Sequence, residues 1–509
     1  MERASAQALT GRDGMSTDRG AAGDRPPGGS AGSGAGTSYA WRALGGQRAL
    51  LERLHHTYRD GVLPARLPVR ELARSTVATC ALAAAELAAV RASSSRVAPV
   101  TVDDGAVAAA FTSERHLRID GRETVNFAPL SRFWRTADGW VRTHANYPHH
   151  RALLLAALAV PERGEADEVL AHRVAAQLVQ RKAEEVEQAV FARGGLAVAV
   201  RSREAWDRHP QGVAASSRPL LSVDALDGAE PLPFAPTAGN TLALPLAGVR
   251  VLDLTRVTAG PVATRTLALL GADVLRIDPP KYPEFAEAHA DTGFGKRSVS
   301  LELDSRAGQA RFEELLGSAH VVVTAYRPGA LDRFGLAPES LADRRPGLVV
   351  GQISAWGGYG PWHRRRGFDS LVQAATGIAK AEEDTESGVP GALPAQALDH
   401  GSGYLLAAAV MRSLTEQQEG RAGSRVVRLA LAQTAHWLLH GHGLPGGRTE
   451  AGDAAPAAEP PYDPADWMAE CDSPLGRLRH VVSPVRYEGA PERWAHPPGV
   501  LGGDAVEWR

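Results

Sequence analysis

The chain has 509 residues, more than one ordinary hydrophobic core accommodates, so several domains are expected. With 44% hydrophobic and 22% charged residues and a formal net charge of -2, the composition is that of a soluble globular protein, without the basicity a nucleic-acid partner calls for. Its two cysteines, Cys80 and Cys471, build neither a disulfide framework nor a zinc spacing, and no signal core or run of about 18 apolar residues is read, so a cytoplasmic enzyme with no metal and no membrane partner is expected.

Residues 1–37 are rich in Gly, Ser, Ala and Pro and cannot bury enough surface to offset chain entropy, so residues 1–38 are expected to be a disordered tail. Ser75–Arg91 (STVATCALAAAELAAVR) reads as an Ala-rich helix, followed by a β-like run and an apolar segment over Val97–Phe111. Phe133–His144 reads as strand–turn–strand about Asp138-Gly139. Leu153–Leu158 and His172–Ala192 read as helices, and Trp206–Gln211 as a loop, so residues 130–240 look α+β.

From residue 247 the pattern changes. Val249–Leu254 is a buried strand, Thr258–Pro261 a turn, Val262–Leu270 a helix and Ala272–Ile277 the next strand. A helix at Ser305–Ser318 and strands at Ala319–Thr324 and Gly347–Ser354 continue the alternation, which predicts a parallel sheet with helices on its faces. Asp399–Thr415 (DHGSGYLLAAAVMRSLT) is a second small-residue helix, again followed by a β-like run and an apolar segment, Arg425–Leu439. The shared element order points to an internal repeat. Gly446–Pro464 reads as a linker, and the glycine-rich Gly441–Gly447 as a flexible loop.

The first strand, turn and helix with Asp278 at the next strand's end have dinucleotide-fold logic, but the turn TRVTAGPVAT lacks G-x-G-x-x-G, which weighs against an NAD enzyme. The segment Leu246–Pro280 instead resembles the opening of the class III CoA-transferases, the CaiB/BaiF group with formyl-CoA transferase, carnitine CoA-transferase and α-methylacyl-CoA racemase. Further family-like motifs follow in the family's order. They are Gly295–Leu301 (GKRSVSL), Tyr326–Leu336 (YRPGALDRFGL), Ser354–Pro361 (SAWGGYGP), Arg366–Ala374 (RGFDSLVQA) and Asp399–Gly403 (DHGSG). Ala137–Val141 and Glu204–Gln211 resemble the family's small domain, which there follows the large one, and Pro497–Gly502 resembles its C-terminal P-P-x-L-G.

The resemblance implies an α/β fold, with a Rossmann-like parallel-sheet large domain and a smaller α+β domain, built from two incomplete family copies. The implied blocks are a tail (1–38), a partial first copy with the small domain (39–238), a CoA-binding catalytic domain (240–445), a linker (446–465) and a C-terminal segment packing back on the core (466–509). In the first copy Ser75 stands in the place of Asp399, which implies a dead site there.

It also implies a reaction: transfer of coenzyme A from an acyl-CoA donor to a carboxylic acid acceptor, through an aspartyl-CoA thioester on Asp399. No cofactor is implied as permanently bound; the CoA thioester is a substrate. CoA contacts are implied for Val257, Thr258, Ala259, Leu301, Tyr326, Arg327, Arg333 and Arg366, the arginines answering its phosphates. Gly401, Ser402 and Gly403 are expected to leave space for a thioester and to offer N–H groups to an oxyanion. Family dimers imply a homodimer or an intrachain pseudo-dimer, with Asp138–Val141 and Trp206–Gln211 approaching Asp399.

Departures from the family pattern include Thr258, Gly295, Ala325-Tyr326 and Phe368. The racemase alternative needs a histidine in a G-H-D triplet, and here the triplet is Gly367-Phe368-Asp369. A non-catalytic CoA-binding relic is the other alternative, against which the retained Asp399 counts.

Overall fold

A computed structural model describes residues 34–124, 127–233, 244–421, 423–444 and 462–509. Most of the expected tail, the expected boundary at 238–240 and most of the expected linker lie outside those residues. Where they overlap, the structure differs from expectation: Ala35–Ala43 is an α-helix and Pro464–Trp467 a 3-10 turn.

Two Ala-rich helices form the centre. Helix α1 (Val69–Arg91) has the length and apolarity of a membrane span, contrary to the expectation of no such run. It is nonetheless a core helix, with 94% of its apolar window buried inside the protein. Small residues on all sides let other elements approach it closely. The other central helices come later in the chain and belong to the sheet.

The principal sheet has seven strands. These are β1 (Leu221–Ala225), β2 (Arg250–Leu254), β3 (Asp273–Asp278), β4 (Lys296–Ser300), β5 (Val321–Thr324), β6 (Val349–Ser354) and β7 (Arg425–Ala430). Their order is β4-β3-β2-β5-β6-β7-β1. All neighbours are parallel except β7 and β1, which are antiparallel. The fully buried VVVT of β5 is the β-branched run a two-sided parallel strand needs. The strand order reverses between β2 and β5, so a crevice opens outside their carboxyl ends.

Helix α2 (Ala259–Leu269) crosses from β2 to β3. Helix α3 (Asp369–Thr376) follows β6, and α4 (Ala397–Gln418) leads into β7, which runs on into α5 (Leu431–His440). Helix α4 lies between α1 and α2. The α1–α4 contact is fixed by a buried ion pair, Arg412 Nη1 to Glu86 Oε2 at 2.6 Å.

The first half has its own small sheet: Phe133–Arg135, Trp140–Thr143 and Ala197–Ala199, all antiparallel. Helices Pro148–Leu158, Asp167–Leu178 and Ala183–Ala192 share a core with it. The helix read over His172–Ala192 is therefore two helices, broken at 179–182. The loop read over Trp206–Gln211 is helical at both ends, Arg203–Arg208 and Pro210–Ser216. Helix α1, strand Val100–Asp103 and helix Asp104–Phe111 repeat the element order of α4, β7 and α5. The C-terminal hairpin Met468–Ser473 and Gly476–Val481 pairs with Arg118–Ile119 of the first half. Beyond it, Trp494 Nε1 donates to the Arg265 carbonyl and Asp504 accepts from the Ser298 N–H.

Candidate active site

Asp253, the fourth residue of β2, is fully buried and organises the turn after it. Its Oδ1 accepts from the Thr255 N–H at 3.0 Å and the Thr255 hydroxyl at 2.5 Å. Its Oδ2 accepts from the Thr264 hydroxyl at 2.6 Å and from Lys296 Nζ at 3.0 Å. Burial is the main cause that brings the Lys296 ammonium down to about 8, against the pull of Asp253. The outcome is a turn, residues 255–258, held rigidly over the carboxyl end of β2.

A second buried carboxylate holds the same turn from outside. Glu284 Oε2 accepts from the Val257 N–H at 3.0 Å, and Oε1 accepts from the Tyr147 hydroxyl at 2.6 Å. Burial raises the Glu284 carboxyl, but Arg256 and Arg276 outweigh it and hold the group below its usual range. Because Tyr147 belongs to the first half, Glu284 links the two halves of the chain.

Asp399 is in the first turn of α4 and is 7% exposed. It faces a cavity of about 320 Å³. Val257, Thr258, Asp369 and Ser370 line that cavity from the second half, and Glu114, Phe127, His144 and Tyr147 from the first. The Ala259 backbone N–H, at the start of α2, acts on the Asp399 carboxyl and lowers its pKa. That approach depends on Gly403, where a Cβ would stand 2.6 Å from the Ala259 carbonyl oxygen and 2.9 Å from Val262 Cβ.

Asp369 is wholly buried beside it, and its Oδ2 accepts from the Asp399 N–H at 2.9 Å. Burial pushes the Asp369 carboxyl up to about 6, against hydrogen bonds from Gln373 and from the Asp399 and Leu398 N–H groups. Burial, then Asp369 and Glu114, drive the Asp399 carboxyl well above the usual range, and only the Ala259 N–H opposes them. Behind Asp399, the buried His400 ring stacks on Phe111, its Nε2 3.5 Å from Glu114 Oε2.

The other expected contacts are dispersed. Tyr326 and Arg327 line a separate cavity of about 350 Å³ at the carboxyl ends of β5 and β6, with Tyr359 and Gln433. Arg327 also lines a cleft with Arg364, Arg365 and Arg366, where Arg366 Nη1 donates to the Gly194 carbonyl at 3.0 Å. Burial and the charge of Arg327 lower the Arg366 guanidinium. Leu301 is packed in the core between the sheet and its outer helices. Arg333 is 68% exposed at its side chain and pairs with Asp304 at 3.5 Å. Neither reaches the Asp399 cavity.

Three expectations need correction. Gly401, Ser402 and Gly403 lie inside α4, so their N–H groups belong to the helix ladder and are not free for an oxyanion. Asp138–Val141 and Trp206–Gln211 do not line the Asp399 cavity. Asp138 instead accepts from the Ala183 N–H, and Gln211 Nε2 bonds the Trp356 and Tyr359 carbonyls. The first half reaches the cavity through Glu114 and the 144–147 segment, which lie outside every family-like motif. His144, whose ring stacks on Phe368 at 3.8 Å and 3°, had no local signal, because its partner is 224 residues away in the chain. Ser75, set against Asp399 by the repeat, is closed over: a Cβ on Gly36 would stand 2.5 Å from its Oγ.

Comparison with known proteins follows the same outline. The profile of CoA-transferase family III matches residues 246–464. "Probable fatty acyl-CoA transferase Rv3272" of Mycobacterium tuberculosis is 34% identical over 206 residues, 38% of this chain and 52% of that protein. Formyl-CoA:oxalate CoA-transferase of Streptomyces coelicolor is 31% identical over 192 residues, 36% of this chain and 46% of that one. A crystal structure of the mycobacterial protein aligns at 34% identity with a TM-score of 0.36, covering 39% of this chain and 58% of that chain. The chain thus spans about half the length of these relatives. Over residues 246–464, this chain is similar to CoA-transferase family III.

Proposed function

We propose that the protein transfers coenzyme A between carboxylic acids with Asp399 as nucleophile. The observation that carries this reading is the Asp399 carboxyl facing a cavity walled by both halves of the chain.

In the proposed cycle the ionised Asp399 oxygen attacks the acyl-CoA carbonyl, the C–S bond breaks, and a mixed anhydride and CoA thiolate result. The thiolate attacks the Asp399 carbonyl of the anhydride, releasing the donor acid and leaving an aspartyl-CoA thioester. The acceptor carboxylate then attacks that thioester, forming a new anhydride and releasing thiolate. Attack of the thiolate on the acceptor's acyl carbonyl gives the new acyl-CoA and frees Asp399. No net proton or electron is exchanged. The Ala259 N–H at the start of α2, which favours the charged form of Asp399, is the proposed donor to charge developing on the Asp399 carbonyl, an interaction typically worth about 3 kcal/mol. Arg327 and Arg366 are the proposed phosphate contacts, since an anion would relieve their mutual repulsion. We do not assign Leu301 or Arg333 a role.

We read the helix–strand–helix repeat and the α1–α4 packing as two incomplete family copies folded against each other. In this reading the first half supplies the wall that a partner would otherwise bring, an intrachain pseudo-dimer in the cytoplasm, where thiols such as Cys80 and Cys471 stay reduced.

The test is a trap. Incubation with acyl-CoA followed by hydroxylamine or borohydride is expected to modify Asp399, and Asp399→Ala is expected to abolish the product. Modification elsewhere, or turnover by Asp399→Ala, would sink the proposal. One observation favours a second reading: His144 and Asp399 face one cavity, as α-proton exchange requires. Exchange of the α-proton of an acyl-CoA in deuterated water, with no acceptor acid present, would select that racemase reading.

A further inference from the structure

The Asp399 cavity contains polar side-chain atoms that make no hydrogen bond among the described residues. Ser370, the second residue of α3, is 8% exposed and lines the cavity, yet its Oγ makes no hydrogen bond among the described residues. His144 is 4% exposed, lines the same cavity from the other half, and its Nδ1 is also unpartnered. Glu114 Oε2, on the same wall, has His400 Nε2 at 3.5 Å and can accept a further bond from the cavity side. Buried polar groups left unsatisfied each carry a desolvation cost, so folded proteins rarely keep them without a ligand or water to bond.

The chemistry of these atoms restricts what can satisfy them. Burial, and next the nearby His150 and Arg142, push the His144 ring far below its usual range, so it is neutral and can donate or accept. The Ser370 hydroxyl can do either. The Glu114 carboxylate can only accept, and Asp369 and Asp399 add further acidic groups, while no lysine or arginine is among the described lining residues. A second carboxylate on the substrate would be buried there without a counter-charge. A hydroxyl donates to Glu114 or His144 and accepts from Ser370.

We propose that the acyl cavity recognises a hydroxylated monocarboxylic acid, with Ser370 and His144 as the residues that determine specificity. This rests on the transferase reading above and names the substrate class of that same cavity. A site built to bond a hydroxyl rejects the analogue lacking it far more strongly than a hydrophobic pocket rejects a methylene.

The test uses the full chain carrying Asp399→Asn, so that thioesters bind without turnover. Dissociation constants are measured for three pairs that exchange a hydroxyl for a methyl: lactoyl- and isobutyryl-CoA, 3-hydroxybutyryl- and isovaleryl-CoA, and 4-hydroxybutyryl- and valeryl-CoA. Succinyl-CoA is the dianionic control, and free CoA the reference. At least one hydroxyacyl thioester is expected to bind more than about ten-fold tighter than its methyl partner, and succinyl-CoA more weakly than either. Adding Ser370→Ala is expected to remove that advantage without lowering the melting temperature, because the orphaned hydroxyl goes with it; a merely structural serine would leave the ratio unchanged. If every methyl analogue binds as tightly as its hydroxyl partner, or if succinyl-CoA binds tightest, the proposal is overturned while CoA binding stands. If free CoA and all the thioesters fail to bind, the transferase reading itself falls.

Discussion

The carboxyl of Asp369 accepts a hydrogen bond from the backbone N–H of Asp399 at 2.9 Å, so one acid caps the helix that presents the other. The backbone of Ala259, at the start of the neighbouring helix, lowers the Asp399 carboxyl in turn. Two buried carboxylates in series share a low-dielectric pocket, and like charges there hold each other's protons.

Transfer needs ionised Asp399, so its rate is expected to rise with pH through a value well above that of an ordinary aspartate. Asp369→Asn removes the like charge but keeps an oxygen for the Asp399 N–H. The acid limb of kcat/KM is expected to move to lower pH in this variant, read from a pH–rate profile. An unmoved limb would remove Asp369 from the titration.

The same pair has a stability signature. Folding raises the Asp369 value from 3.8 to about 6, so the folded state binds more protons between those values. Stability from this group is present at low pH and is lost as pH rises through about 6. Urea unfolding of wild type and Asp369→Asn across pH 4–8 is expected to show the variant gaining relative stability toward the upper end.

Gly403 is expected to tolerate no side chain. The Cβ of Gly403→Ala would meet the Ala259 carbonyl at 2.6 Å, and relieving that moves the start of α2 away from Asp399. A loss of about 1–3 kcal/mol in denaturant unfolding is expected, with a fall in kcat. Gly401→Ala, whose Cβ has no neighbour closer than 3.4 Å, is the control expected to be milder.

Tyr147→Phe breaks the 2.6 Å bond to Glu284 and with it one tie between the halves. A bond to a charged group is worth about 1.5–3 kcal/mol, and a loss in that range is expected in chemical denaturation. Glu284→Gln is expected to cost more, because Arg256 loses its buried counter-charge and Arg276 keeps only Asp278.

Arg366→Ala and Arg327→Ala are each expected to weaken CoA binding about ten-fold at low salt, with a shallower salt dependence than wild type. Arg333→Ala, exposed and paired only with Asp304 among the described residues, is expected to change it less. Titration calorimetry with free CoA distinguishes these outcomes.

Much of the second half was legible from the sequence because its signals are local. The βαβ alternation of 249–354, the turn before Ala259 and the acid at the start of the 399–415 helix each occupy a few consecutive residues. The break at 179–182 and the helices flanking His209 have no clear sequence signal, since helices of six or seven residues, one ending at Arg208 and the next starting at Pro210, carry little periodicity.

The sequence alone determined most of the sheet's parallel strands, though not the antiparallel edge strand β1, together with the Ala-rich helices and the single aspartate on which the chemistry is proposed to run. Tertiary structure decided which partners surround that aspartate. Asp369, Glu114 and His144 lie 30, 285 and 255 residues from Asp399 along the chain. They converge on one cavity only because α4 is gripped between α1 and α2. Periodicity reports the local backbone, whereas the field and the hydrogen-bonding deficit of a cavity depend on contacts between segments distant in the chain, which no local pattern encodes.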